Sequence, residues 1–367
     1  FGYSGGAILP TYDAIFVHNA DGGRRPMPLI VPANEQGAGF MAAGYARATG
    51  RVGVCVVTSG PGATNTITPV RDSMADSVPM VVICGQVPTA AIGSDAFQEA
   101  PVATLMGSVA KHVFLVTDPS RLEATVRTAF EIARTGRPGP VVLDIPKDVQ
   151  NWTGTFRGEG VLPLPGYRTR LAQVESTRLS DANCEEFFAM LGAARRPMLY
   201  VGGGAISSGA HELVHQLAER FRLPVTTTLM GKGAFDEQHP LAVGMLGMHG
   251  TAYANFAVTE CDLLIAAGAR FDDRVTGRLD GFAPRAQVIH IDIDAAEVGK
   301  TRLPDVAVVA DVKQALDSLL AASAGEGSEG RTEAWLERID TWKRNYPLVV
   351  PAPEGDIAPQ EVVALLQ

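Results

Sequence analysis

Basic residues are the minority in this chain of 367: 31 Lys and Arg stand against 40 Asp and Glu, a formal charge of −9. A nucleic acid or an anionic membrane surface calls for a basic face, so neither is expected as a partner. Cysteine is scarce. The four (Cys55, Cys84, Cys184, Cys261) lie far apart, with no C-x-x-C pair. That spacing excludes a disulfide framework or a zinc–thiolate site and suits a reducing compartment, a bacterial cytoplasm or an organelle matrix. Cys55 and Cys84 fall inside apolar, strand-like runs, the usual setting of small buried thiols. No apolar run reaches the ~18 residues of a spanning helix, and no signal peptide is visible. Charged residues make up 19% against 46% apolar, too few charges for a disordered chain. There is no initiating Met, and Leu365-Leu366-Gln367 stops within a helical pattern, so the chain is expected to be cut at both ends.

The length points to two or three domains. Short β-branched runs alternate with longer amphipathic stretches. Strands are expected at 28–31, 52–58, 79–84, 113–116 and 140–145, and helices at 7–19, 35–49, 63–76 and 119–134. Strands that read as continuous apolar runs and alternate with helices indicate a parallel sheet covered on both faces. Residues 151–176 have no period and read as a linker. The alternation then resumes, with strands at 197–201, 224–228, 262–267, 287–293 and 306–309 and helices near 181–191, 209–221, 251–259 and 312–322. The fold class is therefore α/β, with two consecutive parallel-sheet domains at 1–150 and 177–322. A Gly/Ser/Glu-rich stretch at 323–330 reads as a flexible surface segment. The stretch 323–358 reads as a linker carrying one helix near 332–346, and 359–367 as the opening of a further domain.

Four patterns could carry chemistry. His211-Glu212-Leu213-Val214-His215 has zinc-protease spacing. It continues as an ordinary amphipathic helix and lacks a third ligand at the expected spacing, so its histidines read as surface polar residues. Gly202, Gly203 and Gly204 follow a strand and precede a helix, as in dinucleotide sites. The third fingerprint glycine is replaced by Ser207, and no acidic strand end follows. Close strand–helix packing explains these glycines as well as a phosphate does. Thr58-Ser59-Gly60-Pro61-Gly62-Ala63-Thr64-Asn65 turns from a strand into a helix, bringing backbone near a ligand, but has no P-loop Lys. Glu35 opens a helix after a strand-like run. It either complements the helix dipole or, half-buried at the end of a parallel strand, is tuned for proton work.

Taken together, these fragments resemble the catalytic subunits of the acetolactate synthase (acetohydroxyacid synthase) family, enzymes of thiamine diphosphate and FAD. The resemblance runs through nearly the whole chain. It is carried by Phe1-Gly2-Tyr3-Ser4-Gly5-Gly6, Glu35-Gln36-Gly37, Gly44-Tyr45-Ala46-Arg47, the Thr58 to Asn65 turn, Gly85-Gln86-Val87-Pro88, Asp95-Ala96-Phe97-Gln98-Glu99 and Asp144-Ile145-Pro146-Lys147-Asp148. The second half adds His290-Ile291-Asp292-Ile293-Asp294 and two pieces more specific to the family, Met245-Leu246-Gly247-Met248-His249-Gly250 and Arg270-Phe271-Asp272-Asp273-Arg274.

The resemblance implies a pyrimidine-binding first domain and an FAD-binding second. It makes Glu35 the glutamate that hydrogen-bonds N1′ of the aminopyrimidine, with Pro61 and Asn65 beside the cofactor, and Gly5 and Gly6 the glycine turn near the reacting centre. Phe97, Gln98 and Lys111 match the substrate channel. FAD contacts carry over to Arg137, Gly202, Gly203, Thr228, Leu229, Met230, Met248, His249, Gly250, Gly268, Arg270, Asp272, Asp292, Ile293 and Asp311. Met248 and Arg274 match the second-substrate site, where a guanidinium suits a ketoacid carboxylate. Pyruvate and 2-ketobutyrate are the implied substrates, in branched-chain amino-acid synthesis. The family's sites lie between subunits, which implies a homodimer or homotetramer, with a regulatory small subunit as a further partner. No metal site is expected among these residues: Mg²⁺ and the diphosphate belong to a third domain with a Gly-Asp-Gly motif, which does not occur here. Asn34 stands where the family often has His, and Ser4 where it often has Pro. A sulfoacetaldehyde acetyltransferase, a 2-ketoacid decarboxylase or a non-catalytic flavin-binding module are the alternatives.

Overall fold

The computed structural model describes residues 1–21, 25–155, 160–323, 331–349, 355 and 357–366. Apart from Ser323, the expected flexible stretch 323–330 lies outside the described residues. The chain forms two units, Phe1–Gln173 and Val174–Gln367.

The first unit is a five-stranded sheet, wholly parallel, with β1 (Gly2–Tyr3), β2 (Gly53–Val57), β3 (Met80–Gln86), β4 (His112–Leu115) and β5 (Pro140–Pro146) in the order β1-β2-β3-β5-β4. Val82, Cys84 and Val142 face one apolar layer, closed by the helix Glu35–Thr49; Val81, Val141 and Leu143 face the other, closed by Leu122–Arg134. Both faces are covered, which is why β3 and β5 read as largely apolar runs, interrupted by Gln86 and Asp144.

The second unit is also parallel. Its strands are β6 (Pro197–Val201), β7 (Val225–Thr227), β8 (Ala242–Met245), β9 (Leu263–Ala267), β10 (Gln287–Asp292) and β11 (Val306–Val309), ordered β11-β10-β9-β6-β7-β8. The chain runs outward from β6 to β8, then returns to β9 and runs outward the other way. The reversal between β6 and β9 makes a switch point, where open α/β sheets leave a crevice outside the carboxyl ends of the strands.

Several expectations change. Residues 28–31 form no strand: Pro26, Pro28 and Pro32 remove amide donors, and Gly2 N–H to Ile30 O, 3.1 Å, is the bond that ties the stretch to β1. The helix expected over 63–76 is two, Pro61–Thr64 and Ile67–Ala75, parted where the Thr66 hydroxyl bonds Ala63 O at 2.7 Å. The aperiodic stretch 151–176 contains a helix, Tyr167–Ser176, with Tyr167 bonded to Thr135 at 2.7 Å and Arg168 paired with Glu131 at 2.6 Å. The helix Glu333–Asn345, read as part of a linker, belongs to the second core. Trp335 and Ile339 are buried against Met198 and Tyr200, and Trp335 Nε1 donates to Pro197 O at 3.1 Å.

Candidate functional site

In the first unit the site grows from the carboxyl ends of β1, β2 and β3. Asn34 is the N-cap of the helix Glu35–Thr49, its Oδ1 accepting from Gly37 N–H at 2.8 Å. Asn is among the strongest capping residues, which accounts for Asn34 at this position. Glu35 follows as the first helical residue, half-buried. Asn65 Nδ2 donates to Glu35 Oε2 at 2.9 Å. Oε1 lies over Gly62, 3.6 Å from where a Cβ would stand.

The turn after β2 holds this pair in place. Gly60 takes φ +51°, and a Cβ on it would meet the Gln98 carbonyl at 2.5 Å. Gln98 is itself left-handed, at φ +59°, and Phe97 beside it is 89% exposed. Glu99 ties the Gln98 loop down by accepting from Gly93 N–H at 2.5 Å and Ala96 N–H at 3.1 Å; the first of these bonds chiefly holds its carboxyl below the ordinary range. Thr58 lies between two glycines. A Cβ on Gly5 would stand 2.4 Å from its methyl and one on Gly62 2.7 Å. Gly5 and Gly62 therefore keep the Gly5-Gly6 turn and the Glu35 helix close. Gly6 has open space around it. Pro61 opens the short helix between Gly60 and Asn65.

Behind this rim Asp144 is buried on β5. Gln86 Nε2 bridges its Oδ2 at 3.1 Å and Ala100 O at 3.0 Å, and Oδ1 has no partner. Desolvation pushes the Asp144 carboxyl up to about 7 despite that amide.

Lys111 does not join this group. It precedes β4, at the amino end of the parallel sheet, and its Nζ donates to Ile132 O and Thr135 O at 2.5 and 2.7 Å at the end of the helix Leu122–Arg134. A cation suits a helix carboxyl end, which accounts for it there. Arg137 lies at the same amino rim, bonded to Ser77 Oγ at 2.9 Å. The carboxyl rim has a cation of its own in Lys147, which follows β5. Its neighbour Asp148 ties this end to the turn after β3, accepting from Thr89 N–H at 2.9 Å. The signal was the lysine's position directly after a strand end.

In the second unit every named residue lies at or just after the carboxyl end of a strand. Gly202 and Gly203 follow β6; Thr228, Leu229 and Met230 follow β7; Met248, His249 and Gly250 follow β8. Gly268 and Arg270 follow β9, Asp292 ends β10 with Ile293 after it, and Asp311 follows β11. The two sides of the switch point interlock through glycine. A Cβ on Gly202 would meet Gly268 O at 2.2 Å, and one on Gly204 would meet Gly268 Cα at 2.6 Å. Gly204 N–H donates to Gly268 O at 2.9 Å. Close backbone packing thus accounts for Gly202 and Gly204, while a Cβ on Gly203 would face Met230 Cβ at 3.1 Å.

Around this seam Arg270 pairs with Asp272 at 2.6 Å, and Asp272 caps the short helix Asp273–Thr276. Met248 N–H donates to Arg274 O at 2.8 Å, with Arg274 Nη1 4.0 Å from Met248 Sδ. Leu229 and Met248 are 70% and 64% exposed, apolar side chains on an otherwise polar rim. Asp292 accepts from Asp294 N–H at 2.8 Å, and Asp311 caps the helix Val312–Ala322. Glycine backbone, a cation and exposed apolar side chains are a donor set that fits a flat, phosphorylated ligand.

His211 and His215 make no such site. His215 stacks on Phe235, ring centroids 4.2 Å apart, and its Nε2 accepts from Asp236 N–H at 3.1 Å.

Residues 1–106 match the family model for the thiamine pyrophosphate enzyme N-terminal TPP binding domain, and residues 184–319 match that for the thiamine pyrophosphate enzyme central domain. The chain belongs to the thiamine pyrophosphate enzymes. It is 55% identical over 363 residues to an acetolactate synthase large subunit of Parasynechococcus marenigrum (strain WH8102), covering 99% of this chain and 58% of that one. The large subunit of Cyanidium caldarium is 48% identical, with 99% and 62% covered, and the chloroplastic acetolactate synthase 1 of Zea mays 45% identical, with 100% and 56% covered. The chain thus spans less than two thirds of each of these relatives. Glu35, Asn65 and the turn at Gly60 fall in the stretch matched to the TPP-binding domain, and the β6–β9 crevice in the stretch matched to the central one.

Proposed function

We propose that this chain is the pyrimidine-binding and central portion of an acetolactate synthase large subunit, which decarboxylates pyruvate and joins the remaining two-carbon unit to a second 2-ketoacid, pyruvate or 2-ketobutyrate. The observation that carries it is identity of 45–55% to proteins named acetolactate synthase across 98–100% of the chain. The Glu35–Asn65 geometry supports it. Thiamine diphosphate, when bound, supplies a ring carbon as nucleophile and a cationic ring as electron sink. Glu35 exchanges a proton at N1′ of the pyrimidine; Asn65 fixes Oε2 and so orients the carboxyl for that exchange. Gly6, with open space about it, leaves room for a ring and a ketoacid. Gln98, left-handed, and the exposed Phe97 sit at the mouth.

FAD is assigned to the β6–β9 crevice, with Gly203, Met230, Leu229, Met248 and Arg270 around it. Mg²⁺ is assigned to the diphosphate, held by residues other than these. A second copy of the chain is the proposed partner. Phe40, Met41 and Tyr45 on the Glu35 helix, with Ile30 and Val31, are exposed apolar side chains beside the site, a patch of the kind that monomers rarely leave bare.

The test is the full-length gene product with thiamine diphosphate, Mg²⁺ and pyruvate. Acetolactate formation by a yellow protein with a flavin spectrum supports the reading. Acetaldehyde without carbon–carbon bond formation makes it a decarboxylase instead, and a colourless active enzyme removes FAD from the crevice. No helix among the described residues is long and apolar enough to cross a membrane.

A further inference from the structure

The turn that follows β1 has little sheet to hold it. β1 contributes only Gly2 and Tyr3, paired with Val56 and Val57, and Gly5 and Gly6 follow after Ser4. Two paired residues followed by two glycines fix a backbone poorly. Two side chains from distant parts of the unit make up the difference, both acting on Ala7. The Ala7 N–H donates to Thr58 Oγ1 at 3.2 Å, and the Ala7 carbonyl accepts from Gln150 Nε2 at 2.7 Å.

Gln150 ends the short helix Lys147–Gln150 that follows β5, and β3 lies between β5 and β2 in the sheet. The Ala7 carbonyl reaches Gln150 by crossing over β3 at Gly85, where a Cβ would stand 2.6 Å from the Ala7 oxygen. Any other residue at 85 would push that carbonyl out of reach. Both hydrogens of the Gln150 amide are used. Nε2 also donates to Ile145 O at 2.8 Å, and Oε1 accepts from the Thr11 hydroxyl at 2.9 Å. Two carbonyl partners on one end can be satisfied only by the NH₂, so the orientation of the amide is fixed.

We infer that Gln150 is a positioning residue for the Gly5-Gly6-Ala7 turn. It sets the plane of the Ala7–Ile8 peptide, while Thr58 holds that of Gly6–Ala7, and together they place Gly6 on the rim. Thr58 links that turn to Gly62 and Glu35 on the other side. Its effect on catalysis rests on the acetolactate synthase reading; its effect on the backbone does not.

The test uses the full-length enzyme carrying Gln150→Leu or Thr11→Val. Hydrogen exchange of the peptide containing Ala7 is followed by mass spectrometry, with steady-state kinetics on pyruvate alongside. Loss of the carbonyl clamp is expected to speed Ala7 amide exchange about tenfold in Q150L. It is also expected to lower kcat roughly 10- to 100-fold while KM stays within about threefold, because misplacing the turn harms chemistry more than binding. T11V, which removes the hydroxyl that donates to Oε1 and leaves both bonds from Nε2 in place, is expected to show the same pattern more weakly. Wild-type kcat in Q150L overturns the inference whatever the exchange rate does. Should Q150L fail to fold, wild-type kcat and exchange in T11V overturn it. If the unmutated enzyme makes no acetolactate, the functional reading falls and the exchange comparison alone decides: unchanged exchange overturns the inference, faster exchange supports it.

Discussion

Asn65 reaches thirty residues back along the chain to donate to Glu35 Oε2 at 2.9 Å. One oxygen of the carboxyl is thereby held while the other is left to work. Replacing Glu35 with Gln in the full-length enzyme keeps the shape and removes the proton carrier. Proton exchange at C2 of bound thiamine diphosphate, followed by quenched-flow NMR, should fall about 100-fold or more, with the flavin spectrum unchanged. Asn65→Leu should cost less, roughly tenfold, since it loosens the carboxyl without removing it. An E35Q enzyme with wild-type exchange would take Glu35 out of its role.

Asp144 should make stability depend on pH in the sense opposite to an ordinary ion-paired carboxylate. Its folded pKa is raised from 3.8 to about 7 by burial. The stabilisation is thus full below the unfolded value near 4 and is lost as pH climbs through 7, a swing of roughly 4 kcal/mol at most. Asp144→Asn still accepts from Gln86 but does not titrate. Relative to the parent, D144N should gain in urea denaturation midpoint between pH 5 and pH 8. A constant difference across that range would contradict the assignment.

The glycine seam separates two costs that usually travel together. Gly268 and Gly209 both have positive φ, +61° and +65°, but a Cβ on Gly268 meets Gly204 Cα at 2.6 Å while one on Gly209 meets open space. Gly209→Ala should therefore lose only about 1–2 kcal/mol of backbone preference. Gly268→Ala should lose more, several degrees in melting midpoint, and should purify with less flavin. Equal flavin content in both variants would mean that the seam does not shape the crevice.

Much of this architecture could be read from residue order. β6 and β9 are unbroken apolar runs, and β3 and β5 largely so, because both faces are covered, and that pattern survives in one dimension. β8 was missed because Gly244 interrupts its four residues, and β1 because two residues have no period. Residues 28–31 looked like a strand because apolar content outweighed the prolines that deny it donors. Glu35 and the Gly60 turn were visible as motifs, but the bond from Asn65 depends on two helices meeting, which no spacing states. Lys111 was drawn to the site by resemblance, whereas the parallel sheet puts it at the amino rim, and Lys147 at the carboxyl end of β5 went unassigned. Which end of a strand a residue occupies decided more than its chemical type.

The crevice in the second unit is closed by two backbone segments that leave the ribosome far apart. Gly204 must wait for Gly268, and β6 cannot gain β9 as a neighbour until β7, β8 and their connections have been laid down. Contacts that join distant segments are slow to form, and they incline towards the late side of the folding barrier. A flavin bound across them should therefore act chiefly as a lock, lengthening the lifetime of the folded state while leaving refolding speed near that of the bare protein. Unfolding and refolding rates measured by stopped flow with and without added FAD would show it, and an equal effect on both limbs would mean that the seam is already formed at the barrier.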